Sequence, residues 1–305
     1  MTETEIQHNA VFSINYYTLP KSESRLIGKI QYHTVKQGEF LQLVADQYNV
    51  GFLALLEANP NVDPFLLIAG DRLIIPTQTL LPDAPREGIV INLAELRLYY
   101  FDLKQQRVYV APVGIGRVGR ETPEMSVTIS QKKRNPTWTP TVETRKEYLA
   151  KGVELPQIVP AGENNPLGLF ALRLAYGNGE YLIHGTNKDF GIGLRVSAGC
   201  IRLRPDNIEW LFSQVEQGDK VTIINQPIKR AIEADGSKWL EVHSGLSTNE
   251  RDSDQQSRLE LDDNVVNFIS TGDVNRQLVD SLLNTKSGLP TKITASLEEI
   301  SRELF

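Results

Sequence analysis

The sequence predicts an α+β, multidomain chain: a small strand, helix, helix, strand (βααβ) module, then a mostly β, antiparallel and sandwich-like domain with one helix. Three observations carry this reading. Between Gln31 and Pro76 an extended segment leads into two apolar stretches at helical spacing and back to a β run. From Gly88 onward, short β-branched and aromatic runs alternate with turn residues. In that second region only Ile208 to Gln217 has the period of an amphipathic helix. A length of 305 residues suits two or three such units.

Residues 1 to 30 are mixed and polar and read as an extended arm. The module over 31–76 opens with Tyr32, Thr34 and Val35, turns at Gly38, and continues with Phe40, Leu41, Val44, Ala45 and Tyr48 on one helical face. A second short helix runs from Phe52 to Ala58, Asn59-Pro60-Asn61 breaks it, and Leu73-Ile74-Ile75 resumes as a strand before Pro76. The stretch 77–87, with Pro82 and Pro85, reads as a linker.

The β domain spans 88–226. Ile89 to Leu93 and Leu96 to Phe101 flank Ala94-Glu95 as a hairpin, and Val108 to Val113 follows as a third strand. Val127 with Ile129, Phe170 to Leu174, and Tyr181 to Ile183 are further strands, the last ending at His184. Asp206 and Glu209 fit a capping box for the helix, Gly218 its stop, and Val221 to Ile224 a returning strand. The long segment Asn135 to Leu167, with five prolines, reads either as a wall or lid over a groove or as a surface excursion pinned by Trp138. Beyond Pro227, residues 227–305 form a C-terminal extension: a hairpin about Asp235-Gly236, a mobile linker over Ser247 to Asn264, and a helix over Val274 to Leu283.

Composition excludes several functions. Lys and Arg total 32 against 38 Asp and Glu, a net charge of −6, so nothing favours nucleic acid as a partner. The apolar runs fall far short of the roughly 20 residues of a membrane span, so no transmembrane segment is expected. The first thirty residues lack a basic start followed by an apolar block, so no signal peptide is expected within this sequence. The lone cysteine, Cys200, rules out an intrachain disulfide and a multi-cysteine metal site. The histidines, His8, His33, His184 and His243, show no metal-ligand spacing, and no metal or cofactor is expected.

The chemistry concentrates in HGTNKDFGIGLRVSAGCIRL, His184 to Leu203. A lone cysteine is either a small buried hydrophobe or a reactive thiol. A thiol near neutral pH is mostly protonated, and an imidazole in hydrogen-bond reach makes it a nucleophile by taking its proton. Gly191, Gly193 and Gly199 give the loop between His184 and Cys200 freedom for a tight return. Gly199 also lets consecutive backbone N–H groups at 199 and 200 point at one oxyanion. Arg202 either binds a substrate carboxylate or ties down the loop. Ser197 reads as a turn hydrogen-bonder, and no acidic residue is placed to orient His184, which leaves that role to a backbone carbonyl.

Two resemblances rest on these residues. YHTVKQGEFLQLVADQYNVGFLALLEANPNVD followed by AGDRLIIP resembles a LysM domain, which implies binding of N-acetylglucosamine polymers, although Glu39-Phe40 stands where the family usually has Asp-Thr. HGT, an interval, and SxGCIRL resemble the signature of the L,D-transpeptidase catalytic domain, the YkuD family, with support from INLAELRLYYF, NPTWTPT and PAGENNPLGLFALRL. With the tail EADGSKWLEVHSGLS, the resemblance extends to the ErfK/YbiS-like group, Gram-negative periplasmic enzymes that attach Braun-type lipoprotein to peptidoglycan. Ala198 stands where many members carry His.

The resemblance implies Cys200 as nucleophile and His184 as general base, with Ser197 and Gly199 shaping the oxyanion loop. It implies substrate contacts from Gly185, Arg202 and Trp138. It implies acyl transfer from a peptidoglycan tetrapeptide stem to a lipoprotein lysine, to another stem's diaminopimelate, or to water as in a hydrolase, and a periplasmic location. A wall-binding protein acting through its LysM-like module alone is the competing reading, and a papain-type hydrolase is disfavoured for want of its Cys-Trp motif. Because nucleophile and base both lie between 184 and 200, a chain truncated before about residue 80 is expected to keep its acylation chemistry.

Overall fold

The structure, a computed structural model, describes residues 14–21, 23–188, 190–247 and 259–295. The module over 31–76 has the expected order. Strand β3 (Gln31–Thr34) pairs antiparallel with β4 (Arg72–Ile75), and between them lie α1 (Leu41–Gln47) and α2 (Phe52–Glu57). Leu41, Val44, Ala45, Leu55, Leu73 and Ile75 form one small core, because a 3.6-residue period on the helices meets a 2-residue period on the strands. Asn59 closes the module by accepting from the Ile74 N–H and donating to the Leu55 and Ile74 carbonyls.

The described residues of the stretch read as an arm, 14–21 and 23–30, are structural. Strand β1 (Asn15–Thr18) adds antiparallel to β8 (Arg107–Pro112) as the edge of the main sheet, and β2 (Leu26–Ile27) pairs with β5 (Thr79–Leu80) inside the supposed linker. The physical reason lies in β6 (Gly88–Asn92), β7 (Arg97–Asp102) and β8, whose near-continuous apolar runs present two faces that both need cover. Ile89, Ile91, Leu98 and Ala111 face the main core, while Val90, Tyr99 and Val108 face Ile27 and Leu81. Leu80 and Leu81 are fully buried, so 77–87 is a packed connection rather than a spacer.

The main sheet has nine strands in the order β1, β8, β7, β6, β15 (Lys220–Ile224), β10 (Met125–Arg134), β11 (Phe170–Leu174), β12 (Leu182–His184), β14 (Ile201–Arg202). The mostly β architecture is as expected, but the sheet is mixed: β6 with β15 and β12 with β14 run parallel. A short parallel pair, β9 (Ile115–Gly116) with β13 (Arg195–Ser197), stands beside it. Two helices, not one, belong to this region. Helix α3 (Val142–Ala150) sits in the long proline-rich segment, and α4 (Pro205–Gln214) packs Ile208, Leu211 and Phe212 on the main core. The expected Asp206 capping box does not form, because α4 starts three residues early with Pro205 at its first position, where a missing N–H costs nothing.

The described residues after 227 form a compact unit instead of a loose extension. Strands β16 (Ile228–Ile232) and β17 (Lys238–Val242) make the expected hairpin, and β18 (Thr291–Lys292) pairs with β17. Helices α5 (Asp263–Ile269) and α6 (Arg276–Thr285) cover it, each capped by its own Asp262 or Asn275 side chain. Leu240, Val242, Val279 and Ile293 are among its core. Residues 248–258, most of the expected mobile linker, lie outside the described residues, as does His8.

One buried charge network joins the modules. Lys229 Nζ lies 2.8 Å from Glu95 Oε2 and 2.8 Å from Glu241 Oε1, and His243 Nε2 lies 2.8 Å from Glu241 Oε1. Arg97 bonds Glu95 at 2.9 Å, and Thr79 donates to Glu241. Burial pushes the Glu241 carboxyl up, but Lys229, His243 and Arg97 outweigh it and hold the group down at about 2. His243 is thus a fully buried member of the network, and His33 is likewise buried, bonded to Glu39 and Tyr48.

Candidate active site

Strand β12 ends at His184 because β11 pairs with it on one side and β14 on the other. In the parallel β12–β14 register Ile183 faces Ile201 and His184 faces Arg202. Ile183 and Ile201 both enter the core, so alternation sends Leu182, His184, Cys200 and Arg202 to the opposite face. The pairing therefore brings the histidine and the cysteine, sixteen residues apart, onto one face of two adjacent strands.

His184 is buried and its Nδ1 lies 2.5 Å from the Gly185 carbonyl oxygen. A carbonyl only accepts, so Nδ1 carries the proton and Nε2 keeps its lone pair. Burial, followed by the Arg202 cation, pulls the imidazole down to about 4. Cys200 is half-buried, and its thiol donates to the Glu180 carbonyl at 3.5 Å. Burial pushes the thiol up, while the Leu182 N–H and the Arg202 guanidinium pull the other way. Burial thus favours the uncharged form of both groups.

The loop before Cys200 is held from inside. Ser197 Oγ donates to the Cys200 carbonyl at 2.6 Å and accepts from the Gly199 N–H at 3.2 Å, the turn role read from the sequence. That second bond occupies one of the two N–H groups assigned to an oxyanion. Gly199 has φ +109°, and a Cβ there would stand 3.2 Å from the Tyr181 ring. Its carbonyl accepts from Thr122 Oγ1 at 2.8 Å, and Thr122 in turn accepts from the Gly116 N–H. Thr122 and Glu180 were not singled out in the sequence, since neither lies in the His184–Leu203 segment. Ala198 is exposed on this loop, so none of these bonds depends on a side chain at that position.

Arg202 exchanges both backbone hydrogen bonds with Gly114 at 2.8 Å, which anchors the strand end. Its Nε is buried without a partner, and its Nη1 lies 2.9 Å from where a Cβ of Gly191 would be. Gly185 packs beneath His184, where a Cβ would stand 3.0 Å from Ile208 Cγ2. Trp138 sits at the root of the proline-rich segment, its backbone paired with Val159.

Residues 86–223 match the L,D-transpeptidase catalytic domain (YkuD), residues 227–293 the L,D-transpeptidase C-terminal domain, and residues 33–76 the LysM domain. Over 282 residues, 92% of this chain and 88% of the relative, the chain is 51% identical to "Probable L,D-transpeptidase YcfS" of Escherichia coli K12. It is 47% identical to "Probable L,D-transpeptidase ErfK/SrfK" of the same organism over 294 residues, 95% of this chain and 93% of the relative. To "Probable L,D-transpeptidase YbiS", also of Escherichia coli K12, it is 44% identical over 282 residues, 91% of each. The chain belongs to the L,D-transpeptidase family. Its LysM and transpeptidase domains together indicate binding of peptidoglycan. No helix among the described residues is long and apolar enough to cross a membrane.

Proposed function

We propose that the chain is a cysteine acyltransferase acting on peptidoglycan stems in the periplasm. The observation that carries this reading is His184 with its Nδ1 proton committed to Gly185 and its Nε2 lone pair free, on the same face as Cys200. In the first half-reaction Nε2 takes the thiol proton as sulfur attacks the diaminopimelate carbonyl of a tetrapeptide stem. The S–C bond forms, the C–N bond to D-Ala breaks, and the imidazolium returns the proton to the leaving amine. In the second, an acceptor amine gives a proton to Nε2 and attacks the thioester. Its N–C bond forms, the C–S bond of the thioester breaks, and the imidazolium returns the proton to the departing sulfur, which regenerates the thiol.

The negative carbonyl oxygen of each tetrahedral intermediate is met by the Cys200 N–H, with the Gly199 N–H shared between it and Ser197. Arg202, with its unpartnered Nε, binds a substrate carboxylate beside the groove. Gly185 leaves room there for the stem backbone, and Trp138 walls its far end. The acceptor is the lysine of a Braun-type lipoprotein or another stem's diaminopimelate, and the LysM module raises the local concentration of stems by holding glycan.

The test is mass analysis of the intact chain after incubation with disaccharide tetrapeptide. The expected result is an acyl adduct on Cys200 with release of one D-Ala, and none in Cys200→Ser. Stoichiometric D-Ala release by the Cys200→Ser protein would assign the chemistry to another group.

A further inference from the structure

The proline-rich segment from Asn135 to Leu167 is built in two parts of unequal strength. Its root is stapled: Trp138 and Val159 exchange backbone hydrogen bonds at 2.9 and 2.7 Å, and the fully buried Asn165 donates to the Pro136 and Pro160 carbonyls. Its tip, helix α3, buries no side chain, and Val142 and Leu149 are open to solvent. Apolar packing therefore does not hold α3 in place. Charge does. Glu147 takes both its oxygens to Arg117 Nη2, at 2.8 and 2.9 Å, and one of them to Arg120 Nη2 at 2.9 Å.

Both arginines belong to the loop that supports the candidate site. The Arg117 N–H donates to the Ser197 carbonyl at 3.0 Å, and two residues after Arg120 comes Thr122, which holds the Gly199 carbonyl. The nearby Glu121 carboxylate is turned back onto the Gly119 N–H. Two guanidinium groups thus share the Glu147 carboxylate, and Glu143, one turn earlier on α3, is near enough to Arg120 to interact with its charge. The residue after Glu147, Tyr148, lies close enough to Arg202 to interact with its charge.

We propose that Arg117 and Arg120 form a carboxylate-binding subsite at the mouth of the groove, occupied in the free protein by Glu147 as a latch that an incoming peptide carboxylate displaces. Glu147 is the stand-in ligand: its oxygens show that the two guanidinium groups already converge on a carboxylate. Exposed ion pairs of this kind are weak, so a competing carboxylate held elsewhere in the groove can win the site. Displacement frees α3 to swing on its stapled root. The identity of the peptide rests on the acyltransfer reading above, whereas the latch does not.

The test uses the full chain, in which Cys200 is the single cysteine. Its alkylation is timed with iodoacetate, which carries a carboxylate, and with iodoacetamide, which has the same shape without charge. Glu147→Gln is expected to raise the iodoacetate to iodoacetamide rate ratio roughly fivefold, and Arg117→Gln/Arg120→Gln to lower it below the parent value. Salt at about 1 M should erase both differences. In stem turnover Glu147→Gln should lower KM for a tetrapeptide with free carboxylates and leave that for its amidated form unchanged. Equal alkylation ratios in all three proteins would overturn the latch even where tetrapeptide is turned over normally. Ratios that move as expected in a parent protein inert toward tetrapeptide would uphold the subsite and overturn the substrate reading.

Discussion

Arg202 stands directly opposite His184 across the parallel β12–β14 pair, and its one cation acts on two neighbours at once. It presses the imidazole toward its neutral form and pulls the burial-raised Cys200 thiol back down. One positive charge thereby favours the neutral imidazole and eases loss of the thiol proton.

Arg202→Gln is accordingly expected to raise both groups. The rate of Cys200 alkylation by iodoacetamide, followed against pH, should shift its midpoint upward. The acidic limb of acylation, set by protonation of His184, should move upward as well. A profile that only scales down, with both limbs in place, would leave Arg202 a part in binding substrate and remove it from tuning these two groups.

His184 links the site to stability. Its folded value of about 4 lies below the ordinary histidine value of 6.5, so the folded state favours the neutral ring. The stability this contributes is complete above pH 6.5 and is lost as pH falls toward 4, because the unfolded chain takes up the proton first. The full difference amounts to roughly 3 kcal/mol. His184→Gln should remove that part of the acid sensitivity, read as the change in urea midpoint between pH 7 and pH 4.5 in the two proteins. The same variant should lose roughly 10²- to 10⁴-fold in acylation rate. A parent and variant with parallel acid curves would contradict the buried neutral histidine.

How much of this was legible in the sequence depends on whether a residue's partner is local. The module over 31–76, the hairpin of β6 and β7 and the strand ending at His184 follow from periods of 3.6 and 2 that any ten residues display. Helix α3 was missed because VETRKEYLA has no apolar face for a period to reveal. Strand β1 was missed because four residues become a strand only through β8, ninety positions away. The continuous apolar run Ile89-Val90-Ile91 was read only as half of a hairpin, and nothing local names Ile27 and Leu81 as the cover of its second face. In the site, His184 and Cys200 stood out by their loop, whereas Thr122 and the Glu147 latch depend on contacts that no spacing encodes.

Lys229 illustrates the same blindness with a larger energy. The hairpin about Asp235-Gly236 was read without any sign of which side chains turn inward, yet Lys229 and Glu241 are almost wholly buried, Lys229 between two carboxylates. Lys229→Met removes one of the cations that Glu95 and Glu241 share, leaving Arg97 and His243 beside two carboxylates, and should cost roughly 3–5 kcal/mol in thermal or urea unfolding. Adding Glu241→Gln, which leaves Arg97 its partner Glu95, should recover most of it, because the loss comes from uncompensated charge and not from shape. Failure of the double variant to recover would mean that the network's geometry, rather than its charge balance, holds the modules together.

The same network and its surroundings revise the expectation that the N-terminal modules can be cut away. Removal of residues 1–80 would take β1 off the sheet edge and uncover the face bearing Val90, Tyr99 and Val108, the lost burial of Ile27 alone being worth roughly 1.5–3 kcal/mol. It would also strip Thr79 from Glu241 and Lys229, and Asp46 from Arg204, a pair at 2.7 Å that joins α1 to the start of α4. The LysM module reaches the loop between His184 and Cys200 as well. Gly193, at φ +73°, is packed so closely on Gly51 that a Cβ there would lie 2.5 Å from the Gly51 Cα, and the Leu53 N–H donates to the Gly193 carbonyl. A truncated chain beginning near residue 81 should therefore bind a hydrophobic dye, melt at least 10 °C below the full chain, and alkylate Cys200 with altered kinetics. A variant with its glycan-facing side chains altered but the module retained should keep acylation of a soluble stem and lose only retention on intact sacculi. A truncated chain that melts and acylates like the parent would return the N-terminal modules to the role of independent attachments.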